Sequence, residues 1–397
     1  MTVTPESRPW VLVMGTADWD QPIATNQHYM VRELSTSCRV TFVESTGLRA
    51  PEFRPRDIAR IFRRITSSLG RGGSASRRTV PAGVDIVSPF ALPWHNVLTR
   101  RVNRGMLAWQ VRSWKRARVQ RLLWCYTPNE YGLADFADAV VYHCVDLLCE
   151  VPRVSRTLVH GSERRLASQG TSAIGSSEHV VAHLEDLGFT DVMYWPNVAD
   201  LEALAVGHGE AESRLERAVF AGNLSSSKVD FQLLGMLLEA GVELVLAGPI
   251  SEGGGDDRDA VDELLRRGAS YVGQLPLNEL GRLYRTSTVG LIPYELNPYT
   301  RGVNPLKTYE YLASGLAVVS TAVPAVEPRS SDVTVAADAD SFVAAVKTAI
   351  HHPDEATVAR RGHLAASHGW RQRGVAARAL VSESLSSSSR RQTGSGI

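Results

Sequence analysis

Short apolar runs alternate with amphipathic stretches along most of this 397-residue chain. The first run, WVLVMG at 10–15, is followed by a helix-like stretch from about Pro22 to Leu34 and by a second run at 38–44. Proline suits the first turn of a helix, and a strand–helix–strand unit begins a parallel sheet. The pattern therefore predicts an α/β, Rossmann-like domain over residues 1–196. Further strand-like runs in this domain lie at 84–90, 121–126, 138–145, 172–177 and 191–196.

A second strand and helix series follows the pattern-poor connection at 197–216 and predicts another Rossmann-like domain over 197–369. We expect a last helix over 370–385 that crosses back to the first domain, and a disordered polar tail over 386–397. The predicted strands of the second domain are 217–222, 242–248, 269–273, 287–294 and 316–321. Its predicted helices lie at about 229–240, 257–267, 277–285, 304–314 and 339–350.

The composition of the chain argues against several classes of protein, including nucleic-acid-binding, secreted and membrane-spanning proteins. Basic and acidic side chains nearly cancel, 43 against 42, so a bulk electrostatic grip on nucleic acid is not expected. The four cysteines show no zinc-type spacing and are interpreted as buried free thiols of a reducing compartment. The sequence shows neither a secretory signal nor an apolar run of the roughly 18–20 residues that a membrane span needs. A cytoplasmic location is therefore expected, with contact at the inner face of the membrane left open.

That membrane contact is suggested by an arginine-rich segment. Only four of the 43 basic residues are lysines, and residues 54–121 carry sixteen arginines or lysines against two acids. Residues 58–71 can be drawn as a basic amphipathic helix, and 71–78 as a loop. Two interpretations stay open, namely a solvated surface and a docking surface for an anionic membrane or acceptor.

One motif with candidate chemistry is VFAGNLSSSKVD at 219–230. A strand ends at Gly222-Asn223, a serine-rich turn follows, and a helix is expected from near Val229. Small residues let backbone N–H groups approach an anion, and Lys228 could place its ammonium on the same anion. The motif is interpreted as a diphosphate cradle, although an ordinary strand–helix turn with an exposed lysine is the alternative.

A second motif is TRGVNPLKTYEYLASGLAVVST at 300–321. Asn304 and Pro305 are a good cap and first-turn pair, and Lys307 in that first turn is explained if an anion binds there. Glu310 lies about one turn further along the same side, where its carboxylate could accept two hydrogen bonds from a ribose diol. Lys307 and Glu310 would then span a nucleotide; the alternative is a simple ion pair between them.

These motifs carry a family resemblance. PLKTYEYLASGLAVVST and FAGNLSSSKVD resemble the donor half of retaining GT-B glycosyltransferases of family 4 in the sugar-transferase classification. GTADWDQPIATNQHYMVREL and VVYHCVDLL are similar to the first half of bacterial members that act on cell-surface glycans and natural products. The resemblance covers roughly 10–385. It implies two Rossmann-like domains facing across a cleft, with a nucleoside-diphosphate sugar on the second and a hydroxyl acceptor mainly on the first.

The resemblance also implies residue roles. Glu310 would hold the ribose, Lys228 the diphosphate, and His143 would face the reacting sugar. Gly15 would give the donor room, and the residues after it would line the acceptor side. The implied donor-binding residues are Gly15, Gly222, Asn223, Lys228, Gln274, Leu275, Val303, Asn304, Pro305, Leu306, Lys307 and Glu310. Those on the acceptor side are Asp18, Asp20, Asn26 and His28, and the implied catalytic residues are His143 and Lys228.

One departure keeps alternatives open. Many family members carry a second glutamate eight positions before the first, and here that position is Gly302. A non-catalytic nucleotide-sugar binding subunit is therefore an alternative, as is an epimerase of the same fold. No GxGxxG follows either first strand, so a dehydrogenase is not expected. No cofactor and no metal are expected, and the acceptor is a natural product, a glycan or a lipid-linked hydroxyl compound.

Overall fold

In this computed structural model the chain forms two compact units, one comprising Met1–Trp195 with Arg373–Ile397 and the other Pro196–Gln372. Each unit contains one sheet in which all paired strands are parallel. The residues that the structure describes are 8–21, 23–46, 78–90, 97–151, 154–205, 213–250, 257–329 and 331–394.

The first unit has a seven-stranded sheet of order β3-β2-β1-β4-β5-β6-β7. Its strands are β1 (Trp10–Met14), β2 (Arg39–Val43), β3 (Val84–Val87), β4 (Arg121–Cys125), β5 (Ala139–Cys144), β6 (Ser172–Gly175) and β7 (Val192–Tyr194). Its described helices are α1 (Asn26–Leu34), α2 (Val97–Gln110), α3 (Arg112–Lys115), α4 (Arg156–Ser168) and α5 (Glu178–Asp186), with short 3-10 turns at Ala134–Phe136 and Leu148–Glu150.

The second unit has a six-stranded sheet of order β10-β9-β8-β11-β12-β13. Its strands are β8 (Arg217–Ala221), β9 (Glu243–Ala247), β10 (Ser270–Tyr271), β11 (Val289–Ile292), β12 (Ala317–Thr321) and β13 (Val333–Ala336). Its helices are α6 (Leu201–Leu204), α7 (Phe231–Glu239), α8 (Arg258–Arg266), α9 (Leu277–Arg285), α10 (Pro298–Arg301), α11 (Lys307–Ala313), α12 (Ala339–Ala349) and α13 (Glu355–Ala366), and α14 (Trp370–Gly394) continues into the first unit.

The central strands are buried on both faces. Every residue of β1 and of β11 is buried, which is the pattern expected when helices cover both sides of a parallel sheet. Such strands read as unbroken apolar runs in the sequence, so they are readily recognised. The predicted two-sheet α/β architecture is confirmed.

Several element boundaries differ from prediction. Helix α1 begins at Asn26 rather than near Pro22, because Thr25 and His28 together cap it. Helix α7 begins at Phe231 rather than near Val229, since the Asp230 carboxylate accepts from the Leu233 N–H at 2.8 Å and caps it there. That cap occupies the helix end at which the cradle interpretation of 219–230 expected an anion.

Several elements of the second unit escaped prediction because their signals are short or weak, including the single-turn helix α6 in the predicted connection. Strand β13 has only four residues, and its neighbours are polar. Helix α10 is a single turn that Asn297 caps, with proline at its start. Helix α13 is largely exposed and lacks a strong apolar stripe.

The C-terminal helix is longer than predicted. It runs to Gly394, so residues 386–394 are helical rather than a disordered tail. Helix α14 packs on the first unit, where the Arg378 guanidinium donates to the Glu33 backbone oxygen at 3.2 Å and the Ser388 hydroxyl donates to the Asp138 backbone oxygen. These contacts hold a serine-rich stretch that composition alone assigns to a flexible end.

A buried ion cluster holds the end of α11. The Arg361 side chain donates to Asp332 Oδ1 and to the Gly315 backbone oxygen, both at 2.9 Å. The hydrogen bonds from Arg360 and Arg361 keep the pKa of the Asp332 carboxyl below its ordinary value. Because Gly315 directly follows the helix that carries Lys307 and Glu310, this cluster stabilises the position of that helix.

We predict that Arg361→Met lowers the free energy of unfolding by about 3 kcal/mol, since it leaves the Asp332 carboxylate without its buried partner. Arg360→Met is the matched control. Its side chain contacts the same carboxylate but is 51% exposed against 8% for Arg361, so we expect a much smaller loss. Urea unfolding of both variants measures the difference, and equal losses would contradict the assignment.

Candidate functional site

Strand order points to the same kind of location in both units. In an open parallel sheet, ligands bind beyond the carboxyl ends of the strands where the strand order reverses. That point lies between β1 and β4 in the first sheet and between β8 and β11 in the second. The predicted residues Gly15 and Lys228 follow β1 and β8 respectively.

In the second unit, Glu310 is a buried carboxylate with one oxygen fully engaged. Its Oε2 accepts from Lys307 Nζ at 2.8 Å and from the Tyr284 hydroxyl at 3.1 Å. Its Oε1 accepts no hydrogen bond from the described residues. The ion pair that was the alternative interpretation is therefore formed, within a carboxylate residue that is 4% exposed.

A tyrosine joins the Glu310 helix to the end of β8. The Tyr311 hydroxyl accepts from the Ala221 backbone N–H at 3.1 Å, directly before Gly222. The Tyr311 ring crosses β11 at Gly290, where an added Cβ would lie 2.2 Å from a ring carbon. Only glycine tolerates this approach. The contacts of Tyr311 with Ala221 and Gly290 therefore bring the motifs at 219–230 and 300–321 together within the second unit.

Lys228 lies at the point where the strand order reverses. Its ammonium is 4.8 Å from the centre of the Tyr294 ring, which follows β11. The loop is anchored there, because the Glu295 N–H donates to the Lys228 backbone oxygen and the Asp230 N–H to that of Pro293, both at 2.9 Å. A lysine held by a cation–π contact beside a sheet edge can neutralise a bound anion.

The remaining predicted donor residues occupy three settings. Gly222 and Asn223 are half-buried after β8, as expected for a strand–loop junction. Gln274 is exposed and Leu275 is half-buried in the loop before α9. Residues 303–305 are buried before α11, which begins at Lys307 and not at the predicted Asn304 cap. Asn304 is instead held by its backbone oxygen, which accepts from Asn197 Nδ2 at 2.8 Å.

In the first unit, His143 lies among aromatic rings. His143 lies on β5, and the pairing register of β4 with β5 places it beside Tyr126. The two rings stack with their centres 4.8 Å apart. Trp195 meets the imidazole edge-on at 6.2 Å. Burial, with a smaller contribution from the Arg373 charge, lowers the pKa of His143 to about 3, so the imidazole is neutral. Its Nδ1 is buried and has no hydrogen-bond partner among the described residues.

The other acceptor-side predictions have structural contacts of their own. His28 accepts at Nδ1 from the Thr25 N–H and lies 3.2 Å through Nε2 from the Asp18 backbone oxygen, so it serves the α1 cap. Asp20 Oδ1 accepts from the Arg78 N–H at 3.4 Å, and Asn26 is the first residue of α1. A Cβ at Gly15 would lie 2.6 Å from the Phe42 ring, so this glycine is also required for packing.

Comparison with known proteins adds independent findings. The family described as "Glycosyl transferase-like" matches residues 232–381, most of the second unit. No curated protein matches the chain by sequence. Sucrose-phosphate synthase from Thermosynechococcus elongatus superposes with a TM-score of 0.66 at 14% identity, over 96% of this chain and 100% of that one.

Two further solved structures give the same result. Anabaena HepE in complex with UDP-glucose has a TM-score of 0.61 at 13% identity, over 95% of this chain and 99% of its own. An E. coli structure described as trehalose-6-phosphate bound with UDP-2-fluoro glucose has a TM-score of 0.65 at 12% identity, with the same coverage. The chain has the GT-B fold. The predicted resemblance to GT-B glycosyltransferases is confirmed, in the fold and in the match of the second unit.

Much of the arginine-rich segment of this GT-B protein, including 54–77 and 91–96, lies outside the described residues. The described helix α2 within it exposes an apolar stripe of Leu98, Val102 and Trp109. None of the described helices is long and apolar enough to cross a membrane. Peripheral membrane contact through 54–121 therefore stays a prediction, and the stripe beside arginines is the feature that supports it.

Several site residues of the GT-B protein were not recognised from sequence. Tyr284, Tyr294 and Tyr311 read as ordinary apolar positions of buried elements. Arg373 lies on helix α14, nearly two hundred positions after Trp195 in the sequence. Its guanidinium carbon is 4.8 Å from the centre of the Trp195 ring. Burial lowers the pKa of Arg373 to about 10, which leaves it cationic near neutral His143. For Arg373, the sequence offered one signal, namely an arginine in the helix that was predicted to cross back to the first domain.

We predict that His143 makes the protein acid-sensitive. The folded state holds it neutral down to about pH 3, while in the unfolded state it gains a proton below its ordinary pKa of about 6.5. Stability is therefore lost as pH falls below about 6.5, by about 1.4 kcal/mol per pH unit for this group. His143→Gln should reduce the loss between pH 7 and pH 5 by about 2 kcal/mol.

His179→Gln is the control, because His179 is exposed on α5 of the same unit. Urea unfolding at the two pH values measures the loss in each variant. If the wild-type protein and His143→Gln lose the same stability on acidification, the neutral buried imidazole is wrong.

Proposed function

We propose that the protein transfers a glycosyl group from a nucleoside-diphosphate sugar to a hydroxyl acceptor. The observation that carries this is the arrangement of Glu310, Lys307 and Lys228 in the second unit, with one carboxylate oxygen left for a ligand at the sheet edge. A ribose diol and a diphosphate are complementary to a buried carboxylate and two ammonium groups.

Glu310 suits a ribose because its other contacts orient it. Tyr284 and Lys307 both bind Oε2, so the carboxylate is fixed before a ligand arrives and Oε1 presents a charged acceptor. Hydrogen bonds to charged groups contribute about 1.5–3 kcal/mol each.

The lysines suit a leaving diphosphate. Negative charge grows on the diphosphate as the sugar–oxygen bond breaks, and positive groups that are already in place stabilise that charge without reorganising. Lys228 is held over the Tyr294 ring beside β8, and Lys307 is the first residue of α11. We propose that these groups, rather than a metal ion, stabilise the leaving group.

The relatives support the donor class. Two of the superposed structures contain UDP-glucose or UDP-2-fluoro glucose, so a nucleoside-diphosphate sugar is the first donor to test. Retention at the anomeric carbon is proposed from the sequence resemblance. His143 would then act as a neutral hydrogen-bonding group near the sugar, and Gln274 and Leu275 would frame the base.

The acceptor is proposed to bind mainly on the first unit. The rings around His143 and the Arg373 cation form an apolar cluster with a charged group, which suits a hydroxyl compound with an apolar body. Asp18, Asp20 and Asn26 stay candidate acceptor residues.

A non-catalytic nucleotide-sugar binding subunit is the second candidate. Gly302, which ends α10, stands where many family members have the glutamate that touches the donor sugar. Donor binding without release of nucleoside diphosphate, tested with an acceptor panel, would favour this candidate. An epimerase would need an acid and a base on either side of the sugar ring, and the sequence motifs provide no clear pair.

We predict that Glu310→Gln weakens binding of UDP-glucose, or of whichever donor in a nucleotide-sugar panel binds best, by about 10- to 100-fold, because a neutral amide replaces the charged acceptor. Glu239→Gln is the control, since Glu239 is 71% exposed and pairs only with Arg267. Isothermal titration calorimetry gives both affinities. Unchanged affinity in a folded Glu310→Gln protein would remove the ribose assignment.

We predict that Lys228→Ala lowers donor turnover by about 100- to 1,000-fold with a smaller effect on donor affinity, because the lost charge acts on the leaving group. Lys347→Ala is the matched control, as Lys347 is an exposed lysine on α12 of the same unit. Release of nucleoside diphosphate is the measurement. Turnover in Lys228→Ala equal to that of the control would contradict the diphosphate role.

A further inference from the structure

Three side chains that metals favour meet in the first unit, away from the residues discussed so far. Cys149 lies in the 3-10 turn Leu148–Glu150, His160 on α4 and His183 on α5. One ligand atom from each lies within 4.8 Å of the other two. The three residues come from separate elements, so their spacing in sequence does not match a zinc motif.

One of these groups lacks the hydrogen-bond partner that burial normally requires. His160 Nε2 is buried and has no hydrogen-bond partner among the described residues. Leaving a buried polar atom unpaired costs about 1–3 kcal/mol. The Cys149 thiol is buried and donates a long hydrogen bond to Glu150 Oε1, at 4.0 Å. A cation between these groups would satisfy the imidazole nitrogen and favour the thiolate.

A buried carboxylate supports the third group. Glu163 is 1% exposed; its Oε1 accepts from the Tyr142 hydroxyl at 2.9 Å, and its Oε2 lies 3.3 Å from His183 Nε2. A carboxylate on one ring nitrogen of a histidine fixes the ring and its tautomer and makes the other nitrogen a better metal ligand. This contact is the usual outer support of a histidine in a metal site.

We propose that Cys149, His160 and His183 bind a zinc ion, with Glu163 as the residue that positions His183. One thiolate and two imidazoles are typical zinc ligands, and the fourth position of a tetrahedral site would take water. Ligand atoms around tetrahedral zinc lie about 3.3–3.8 Å apart, so the present spread needs only side-chain adjustments of about 1 Å. On binding, the Cys149 S–H bond breaks, the sulfur bonds to zinc and the proton passes to solvent.

The ion would serve the structure and not the glycosyl transfer. Tyr142, which contacts Glu163, and His143 are successive residues of β5, so their side chains point to opposite faces of the sheet. The cluster is thus separated from the His143 rings by the sheet itself. Zinc at this position would join the 3-10 turn, α4 and α5, in addition to the contacts of Arg156 with the turn and of Glu163 with His183.

The experiment uses the full chain, purified with a tag that contains no histidine. Elemental analysis after expression in zinc-supplemented medium should give equimolar zinc in the wild-type protein. Zinc should be lost in Cys149→Ala and in His183→Ala. It should be retained in Cys38→Ala and His179→Ala, because Cys38 is another buried free thiol and His179 is exposed on the same helix as His183.

A second measurement covers variants that fold poorly. Metal-free wild-type protein titrated with cobalt(II) should show the d–d bands of tetrahedral cobalt and a thiolate charge-transfer band. Zinc should also raise its melting temperature, with less effect at lower pH because the thiol must lose its proton. Wild-type protein that takes up neither zinc nor cobalt, or equal zinc in Cys149→Ala and Cys38→Ala, would overturn the proposal.

Discussion

The buried carboxylate of Glu310 is the charge on which the arrangement of the second unit depends. A carboxylate at 4% exposure must be compensated, and Lys307 and Tyr284 provide the compensation from α11 and α9. Two hydrogen bonds hold the helix that carries Glu310. The Tyr311 hydroxyl accepts from the Ala221 N–H at the end of β8, and the Arg361 side chain donates to the Gly315 backbone oxygen after the helix. Packing, hydrogen bonding and charge therefore fix the Glu310 carboxylate, with Oε2 bound by Lys307 and Tyr284.

In the first unit, the candidate site consists mainly of neutral groups around His143. Its sheet edge presents His143 among Tyr126 and Trp195, and burial keeps the imidazole uncharged. Arg373, whose charge acts on His143, comes from the terminal helix and stays charged. An uncharged polar surface next to one cation contrasts with the paired charges of the second unit. The contrast fits a donor held by charge and an acceptor held by shape and single hydrogen bonds.

The two faces of β5 separate two kinds of chemistry. His143 lies with the aromatic rings on one face, while Tyr142 on the other face binds Glu163 beside Cys149, His160 and His183. Alternation along a strand places these groups apart although they are neighbours in sequence. The proposed metal ion on the Tyr142 face could therefore stabilise the unit without altering the charge near His143.

The sequence by itself determined the two-sheet α/β architecture, because strands buried on both faces appear as unbroken apolar runs. It also singled out Lys228, Lys307 and Glu310, since lysine is rare here and the two motifs are distinctive. Only the tertiary structure decided that Lys307 pairs with Glu310 and that Asp230 caps α7. It also showed that the polar tail continues as helix to Gly394. Tyr284, Arg373 and the cysteine–histidine cluster became visible only in three dimensions, because their partners lie on elements distant in sequence and no local pattern records such contacts.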